Sequence, residues 1–192
     1  MNKLIALSIL TAAALPTAAH AQALPAAVIA VVDLNKVTND CKACKTASAT
    51  LKSQATALQA REKSLGDPLQ SEAKSIQAAI DALSGKEPDA ALQARVKAFQ
   101  AKQQAGAAEL QRRQGDLQRT QAFIQQQIAA KLGPVYEQVM IKRGANVLME
   151  MGSTLASGAA IDVTADVTAG LNAVLPSIST TPPAQAAAPQ GR

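Results

Sequence analysis

The sequence predicts a mainly α-helical fold with a small β part, in which a long antiparallel coiled-coil hairpin is inserted into a small α+β oligomerisation body. Two long stretches carry apolar residues at spacings of three, four and seven, which is typical of helices that pack along a stripe. A polar turn at residues 84–89 joins these stretches. Strand-like runs lie before the first stretch and after the second, so the two ends of the chain must meet.

Residues 1–21 are predicted to form a cleavable secretory signal. Lys3 supplies a short positive segment, and an apolar run without charge follows it. Cleavage is expected between Ala21 and Gln22, with cleavage after Ala23 as the alternative. The apolar run is short for a membrane span of about 20 residues. We therefore expect a soluble protein outside the cytoplasm.

Removal of this segment takes away the only histidine, His20. The mature chain then lacks the commonest general base and the commonest metal ligand. Trp is absent, and Phe99, Phe123 and Tyr136 are the only aromatic residues, which we interpret as packing residues. This composition disfavours catalysis and predicts no cofactor. It is typical of long helices and coiled coils.

The charge balance is basic, with a formal net charge of +5 that falls by one when Lys3 is removed. The excess lies on the two helical stretches. The basic residues are dispersed and have no interleaved aromatic residues, which argues against nucleic-acid binding. Two interpretations of the basic residues stay open: they form a solvated helix face, or they create a weak electrostatic field that attracts acidic clients or anionic membrane surfaces.

A strand is predicted at residues 28–33, because β-branched residues dominate the run and Pro25 and Asp33 bound it. Its members Ile29, Val31 and Val32 are predicted to lie in the oligomer core. Both faces of this strand are apolar, so we expect it to be covered on both sides or paired at a subunit interface.

The first helix is predicted over residues 36–83. Its Gly66-Asp67-Pro68 segment is expected to kink or briefly break it, because Asp67 can cap a helix and Pro68 suits the first helical position. The apolar seam is predicted to continue across this interruption. Its predicted members on this helix are Leu51, Leu58, Leu65, Leu69, Ile76 and Ile80.

The second helix is predicted over residues 89–143, ending at Gly144. Gln103, Gly106, Gln114 and Gln121 are expected to fall on its seam and weaken it. The Gly133-Pro134 pair is expected to bend or break the helix. The predicted seam residues here are Leu92, Val96, Phe99, Leu110, Leu117, Ile124 and Ile128.

After this helix we expect strands at residues 146–150 and, more weakly, at 154–156, and then a short helix over 163–175. The organisation predicted is a body of residues 26–45 and 134–175, an arm of residues 46–133, and a disordered Pro/Ala-rich tail of residues 176–192. A body this small commonly needs oligomerisation for stability.

The Cys41-Lys42-Ala43-Cys44 segment is the one candidate for chemistry. In an oxidising compartment these cysteines are predicted to form a disulfide, either within the chain or between subunits. Unpaired thiols and a redox motif, with Cys41 activated by nearby lysines, are the alternatives. A metal site is disfavoured, because the mature chain has no histidine and no other cysteine. Asp162 and Asp166, four residues apart, are interpreted as capping and solvated residues.

Three segments together resemble the OmpH/Skp family of periplasmic chaperones. Residues 29–34, Ile-Ala-Val-Val-Asp-Leu, are similar to the opening strand of that family. Residues 142–150 are similar to the strand after its long helix, and residues 161–167, Ile-Asp-Val-Thr-Ala-Asp-Val, to its closing helix. The resemblance spans about residues 28–175.

The resemblance implies a homotrimer whose hairpins project around a cavity. It implies an ATP-independent holdase that binds unfolded outer-membrane proteins in this cavity and prevents their aggregation. A structural coiled-coil adaptor or tether of the cell envelope is the alternative function, and a thiol oxidoreductase is the third hypothesis.

Overall fold

The structure is a computed structural model that describes residues 24–184. The predicted signal with its Ala21–Gln22 cleavage site, and tail residues 185–192, lie outside the described residues. The architecture confirms the predicted mainly helical fold with long helices and a small strand part. The elements in chain order are β1 (Ile29–Val32), α1 (Leu34–Asp40), α2 (Lys42–Ala82), α3 (Ala90–Arg143), β2 (Val147–Glu150) and α4 (Thr164–Val174), with short 3-10 turns at Met151–Ser153 and Ala159–Ile161.

The two strands β1 and β2 pair in parallel, with Ile29 opposite Val147 and Val31 opposite Met149. Parallel strands require a crossover connection, and here α1, α2 and α3 together form it. Beyond β2, the backbone N–H of Val163 donates to the carbonyl of Val31, which places the segment before α4 beside β1. The strand pair therefore holds the start and the end of the chain together.

The hydrophobic core lies where β1, α1, the start of α2, the end of α3 and α4 meet. Val37, Val167 and Leu171 are fully buried in it, and Val135 is nearly so. Burial of a Val or Leu side chain stabilises a fold by about 1.5–3 kcal/mol. The core is thus built from both ends of the sequence, and the two long helices extend away from it.

Helices α2 and α3 form an antiparallel hairpin. Asp89 caps the start of α3 by accepting a bond from the Leu92 N–H at 2.8 Å. The connecting turn includes Ser84 and Gly85, both with positive φ. At the other end of α3, Gly144 adopts a left-handed conformation that L side chains rarely take, and it follows two cations in the last helical turn.

The helix boundaries differ from the sequence prediction in two ways. Pro68 lies inside α2 and Pro134 inside α3, so the expected breaks do not occur in the helical backbone. A proline inside a helix costs roughly 3 kcal/mol, and packing along the rest of each helix offsets that cost. Instead, the first helix is divided at Cys41, which has extended backbone angles between α1 and α2.

The C-terminal part also departs from the prediction. Residues 154–156 form no strand, and Leu155 is fully exposed. Residues 176–180, expected to belong to a disordered tail, instead lie against the body. Ile178 packs on the hydrophobic core, and the backbone of Ser179 is hydrogen-bonded to Gln127 of α3. These contacts offset the conformational entropy that the segment loses when it becomes ordered.

Helix α4 approaches α3 closely at Gly170. A Cβ atom at this position would lie 2.9 Å from Cγ1 of Val135, which is itself buried. We expect Gly170→Ala to lose about 1 kcal/mol of stability, because overpacking of about 1–3 kcal/mol exceeds the helix-propensity gain of about 1 kcal/mol.

The matched control is Gly115→Ala, where an added Cβ meets no atom within 4 Å. This variant should gain up to about 1 kcal/mol. Thermal unfolding, monitored by circular dichroism, gives the stability of both variants relative to wild type. Equal shifts in the same direction would show that the contact between α4 and α3 is not tight.

Candidate functional site

The point where the hairpin joins the core is the best-defined site in the structure. We call it the arm root and define it as residues 41–47, which are Cys41 and the start of α2, together with residues 124–132 of α3. Cys41 and Cys44 are disulfide-bonded to each other and buried there. The Cys41 sulfur also accepts a bond from the Cys44 N–H at 3.2 Å. The pair therefore lies inside the core, away from solvent-borne substrates.

Two polar side chains of α4 hold the start of α1 and α2 in place. The Asp33 N–H donates to the Thr164 hydroxyl at 2.9 Å, and the Lys42 N–H donates to the amide oxygen of Asn172 at 2.8 Å. The first N–H groups of a helix have no partner within the helix. Asn172 thus caps the arm helix α2 from a distant part of the chain, which fixes its position relative to the body.

Asp166 joins α4 to the end of α3. Its carboxylate accepts bonds from Lys142, at 3.0 Å, and from the guanidinium of Arg143. These bonds hold the pKa of Asp166 below its ordinary value. Asp162, the other predicted capping residue, accepts a bond from the Thr164 N–H at 2.8 Å. The two carboxylates therefore make different local bonds and do not converge on a common site.

The predicted arm seam is only partly closed. Ile76 and Ile124 are buried, whereas Ile80, near the hairpin turn, is 40% exposed. The other predicted seam residues are half-buried: Leu51, Leu58, Leu65, Leu69, Leu92, Val96, Phe99, Leu110, Leu117 and Ile128. The hairpin thus keeps a line of aliphatic side chains within reach of solvent along most of its length.

The seam on α3 differs from its predicted composition. Gln103, Gln114 and Gln121 are exposed, so they do not interrupt the contact between the helices. The residues buried on this helix include Gly106 and Thr120. The contact line shifts because 3.6 residues per turn do not match a strict repeat of seven. Gly106 was expected to weaken the seam; it is buried there, and an added Cβ atom would meet Cδ1 of Leu65 at 3.9 Å, an ordinary van der Waals distance.

Grooves remain open between the two helices. One of about 450 Å³ is lined by Leu65, Leu69 and Gly106, with Glu72 and Lys102 among the charged residues at its edge. A second, of about 220 Å³, lies closer to the arm root and includes Leu58 and Leu117. The arm therefore offers shallow, elongated apolar surface rather than one enclosed pocket.

Ion pairs between the helices fix the register of the hairpin, and sequence reasoning missed them. The Arg61 guanidinium donates two bonds to the Glu109 carboxylate, at 2.9 and 2.8 Å. Arg113, on the same helix as Glu109, adds a third at 2.8 Å, and Lys102 of α3 pairs with Glu72 of α2 farther along the arm. The bonds from Arg61 and Arg113 hold the pKa of Glu109 at about 2. Nothing in local spacing signals a pair separated by 48 residues.

The sheet has a second apolar face outside the core. Ala30 and Val32 point into the core, whereas Ile29, Val147 and Met149 are 41%, 37% and 37% exposed. Val31, the third predicted strand residue, is buried. A small body with this much uncovered aliphatic surface on one side of its sheet favours association.

Within residues 24–184, no helix has the length and apolarity needed to cross a membrane. The same part of the chain contains no group of three or more His, Cys, Asp or Glu residues placed to hold a metal ion. The three aromatic residues do not form a shared cage: Phe99 lies on the arm, and Tyr136 packs against the core.

These features define a class of protein: a long helical hairpin on a small α+β body whose sheet is open on one face. Residues 28–171 match the family described as outer membrane protein (OmpH-like). The chain belongs to this OmpH-like family.

The fold is also similar to a solved structure from Caulobacter crescentus CB15 that is described as an OmpH-like outer membrane chaperone. The TM-score is 0.65, with 21% sequence identity over 82% of this chain and 90% of that chain. At this identity the likeness shows the fold alone. No match was found among curated proteins.

The pKa of Glu109 makes hairpin stability dependent on acid. A carboxyl group whose pKa is lowered by folding stabilises the folded state at pH values above its ordinary pKa, which is 4.5 for Glu109. This stabilisation is lost as the pH falls towards the pKa of the folded state, about 2. We expect Glu109→Gln to melt at a lower temperature than wild type at pH 7 and at a similar temperature near pH 2.

Circular dichroism melting at a series of pH values checks this expectation. Glu62→Gln, which removes a charge from an exposed position on α2, is the control. A gap between wild type and Glu109→Gln that stays constant from pH 7 to pH 2 would contradict the role of this ion pair.

Proposed function

We propose that the protein is a non-catalytic, ATP-independent periplasmic holdase that binds unfolded outer-membrane proteins between its arms and prevents their aggregation. Membership of the OmpH-like family supports a chaperone role. An unfolded β-barrel protein exposes apolar surface and unpaired strand edges, through which it aggregates. A holdase must cover these surfaces without imposing a structure on them.

The half-buried arm seam is the observation that carries this proposal. Ten of its thirteen predicted residues are neither buried nor fully exposed. Aliphatic surface of this kind offers many weak contacts, worth roughly 25 cal/mol for each Å² of apolar area covered. Such contacts add up over a long client segment, so the client is held. Because each contact is weak, the client can also dissociate one contact at a time. A tether with only a structural role has no need for open apolar grooves.

A homotrimer is part of the proposal. The exposed sheet face at Ile29, Val147 and Met149 provides an apolar surface for the bodies to share. One hairpin can touch a client from one side only, whereas three hairpins around a cavity can enclose it. The body of residues 26–45 and 134–175 would assemble the subunits, and the arm of residues 46–133 would hold the client.

Electrostatic attraction and export complete the proposal. Helix α3 carries nine basic residues and three acidic ones, which favours capture of acidic clients and weak contact with an anionic membrane surface. The N-terminal signal-like segment supports a periplasmic location, where a disulfide such as Cys41–Cys44 would persist. If added salt leaves client affinity unchanged, the electrostatic part is wrong.

An aggregation assay tests the central activity. An outer-membrane β-barrel protein is diluted from urea into buffer with increasing amounts of this protein, and light scattering is recorded. We expect suppression of aggregation near one trimer per client, without nucleotide. A scattering curve that matches a buffer control at a fivefold excess of the trimer would reject the holdase and favour the envelope tether.

The trimer is tested by sedimentation at micromolar concentration. Wild type is expected to be trimeric, and Met149→Asp to dissociate, because a charge on a buried apolar interface is costly. Ile80→Asp is the matched control, since it has a similar exposed fraction but lies near the hairpin turn. A monomeric wild type, or equal behaviour of the two variants, would contradict this assembly.

A further inference from the structure

The C-terminal segment of residues 176–180, which contains no helix or strand, lies across the arm root. It leaves the core after the buried residue Leu175, and its Ile178 side chain packs against the core cluster. Pro176, Ser177 and Ile178 form one wall of a cavity of about 170 Å³, and Lys42, Ala43 and Thr46 of α2 form the other. The segment therefore occupies a groove at the base of the hairpin.

Gln127 of α3 holds this segment by its backbone. The Ser179 N–H donates to Oε1 of Gln127 at 3.0 Å, and Nε2 of Gln127 donates to the Ser179 carbonyl at 2.9 Å. Nε2 also donates to the Phe123 carbonyl at 3.1 Å, which orients the amide plane. The side-chain amide thus pairs with both backbone groups of one residue, as a neighbouring β-strand does.

This mode of recognition does not depend on which residue stands at position 179. The Ser179 hydroxyl is engaged with Thr181 in its own segment and contributes nothing to the bonds with Gln127. One aliphatic side chain, Ile178, supplies the apolar contact. Any extended polypeptide that has an aliphatic residue before an accessible backbone amide satisfies the same requirements.

We propose that the arm root is a binding site for an extended, unfolded polypeptide segment and that residues 176–180 occupy it as an internal competitor. This inference rests on the proposed holdase function, because it assigns the site to the unfolded client. It adds a defined contact with the client backbone to the dispersed apolar contacts of the arm.

The internal segment is suited to being displaced. It holds the groove by one half-buried aliphatic side chain and one pair of amide bonds, while Pro176 and Ser177 are exposed. Attachment to the same chain gives it an effective concentration in the millimolar range, so weak contacts are enough to fill the groove. A client with several aliphatic residues can replace it, and the segment returns when the client leaves.

Peptide binding to the full-length protein tests this site. The probe is a fluorescein-labelled peptide with the sequence of residues 176–182, followed by fluorescence anisotropy. Ile178→Asp is expected to release the internal segment and bind the peptide at least about tenfold more tightly than wild type. Thr181→Asp is the matched control, because it adds the same charge at an exposed position just after the segment.

A second substitution asks whether the peptide uses the proposed groove. Adding Gln127→Ala to the Ile178→Asp variant is expected to remove most of the gained affinity. Ile178→Ser replaces Ile178→Asp if the charged variant unfolds. Equal peptide affinity in wild type and the Ile178 variants, or full affinity without Gln127, overturns the inference.

Displacement by a client completes the test and separates the two proposals. An unfolded outer-membrane protein is expected to release the bound peptide from Ile178→Asp. If wild type suppresses aggregation but the client does not release the peptide, the inference fails and the holdase function stands. If wild type does not suppress aggregation, the proposed function itself fails.

Discussion

Parallel strands cannot be joined by a tight turn, and the paired strands β1 and β2 are parallel and lie before and after the long helices in the sequence. This pairing obliges the chain to leave the body after β1 and return to it before β2. The hairpin of α2 and α3 occupies that long connection. The same pairing brings α4 onto the end of α3, where Asp166 bonds Lys142 and Arg143. The core therefore combines residues from before and after the long connection.

Much of this fold follows from the sequence, because its signals are local. The β-branched run at Ile29–Val32 predicts the first strand, and Asp89 and Gly144 mark the ends of α3. The stripe of aliphatic residues predicts the hairpin. Other features depend on tertiary contacts. Pro68 is tolerated inside α2 because the surrounding helix packs along its length, a stabilisation that a local rule for proline does not include.

The arm root was the hardest part to predict, because it is made by residues far apart in the chain. The cap that Asn172 provides for Lys42 joins positions separated by 130 residues, and the Arg61–Glu109 pair joins positions separated by 48. Residues 176–180 have the composition of a disordered tail, and only one aliphatic residue, Ile178, indicates a contact. A single residue carries no periodicity, so sequence patterns give no reason to place it in the core.

The body and the arm therefore have different structural roles. The body joins the two ends of the chain and presents an apolar sheet face, whereas the arm exposes a half-buried apolar seam. Photo-cross-linking tests this division directly, with a benzophenone amino acid at Gln54 or Ser64 beside the open grooves, or at the exposed residue Leu155 on the body. The account predicts cross-links to an unfolded outer-membrane protein from both arm positions and few from Leu155. Cross-links found mainly from Leu155 would contradict it.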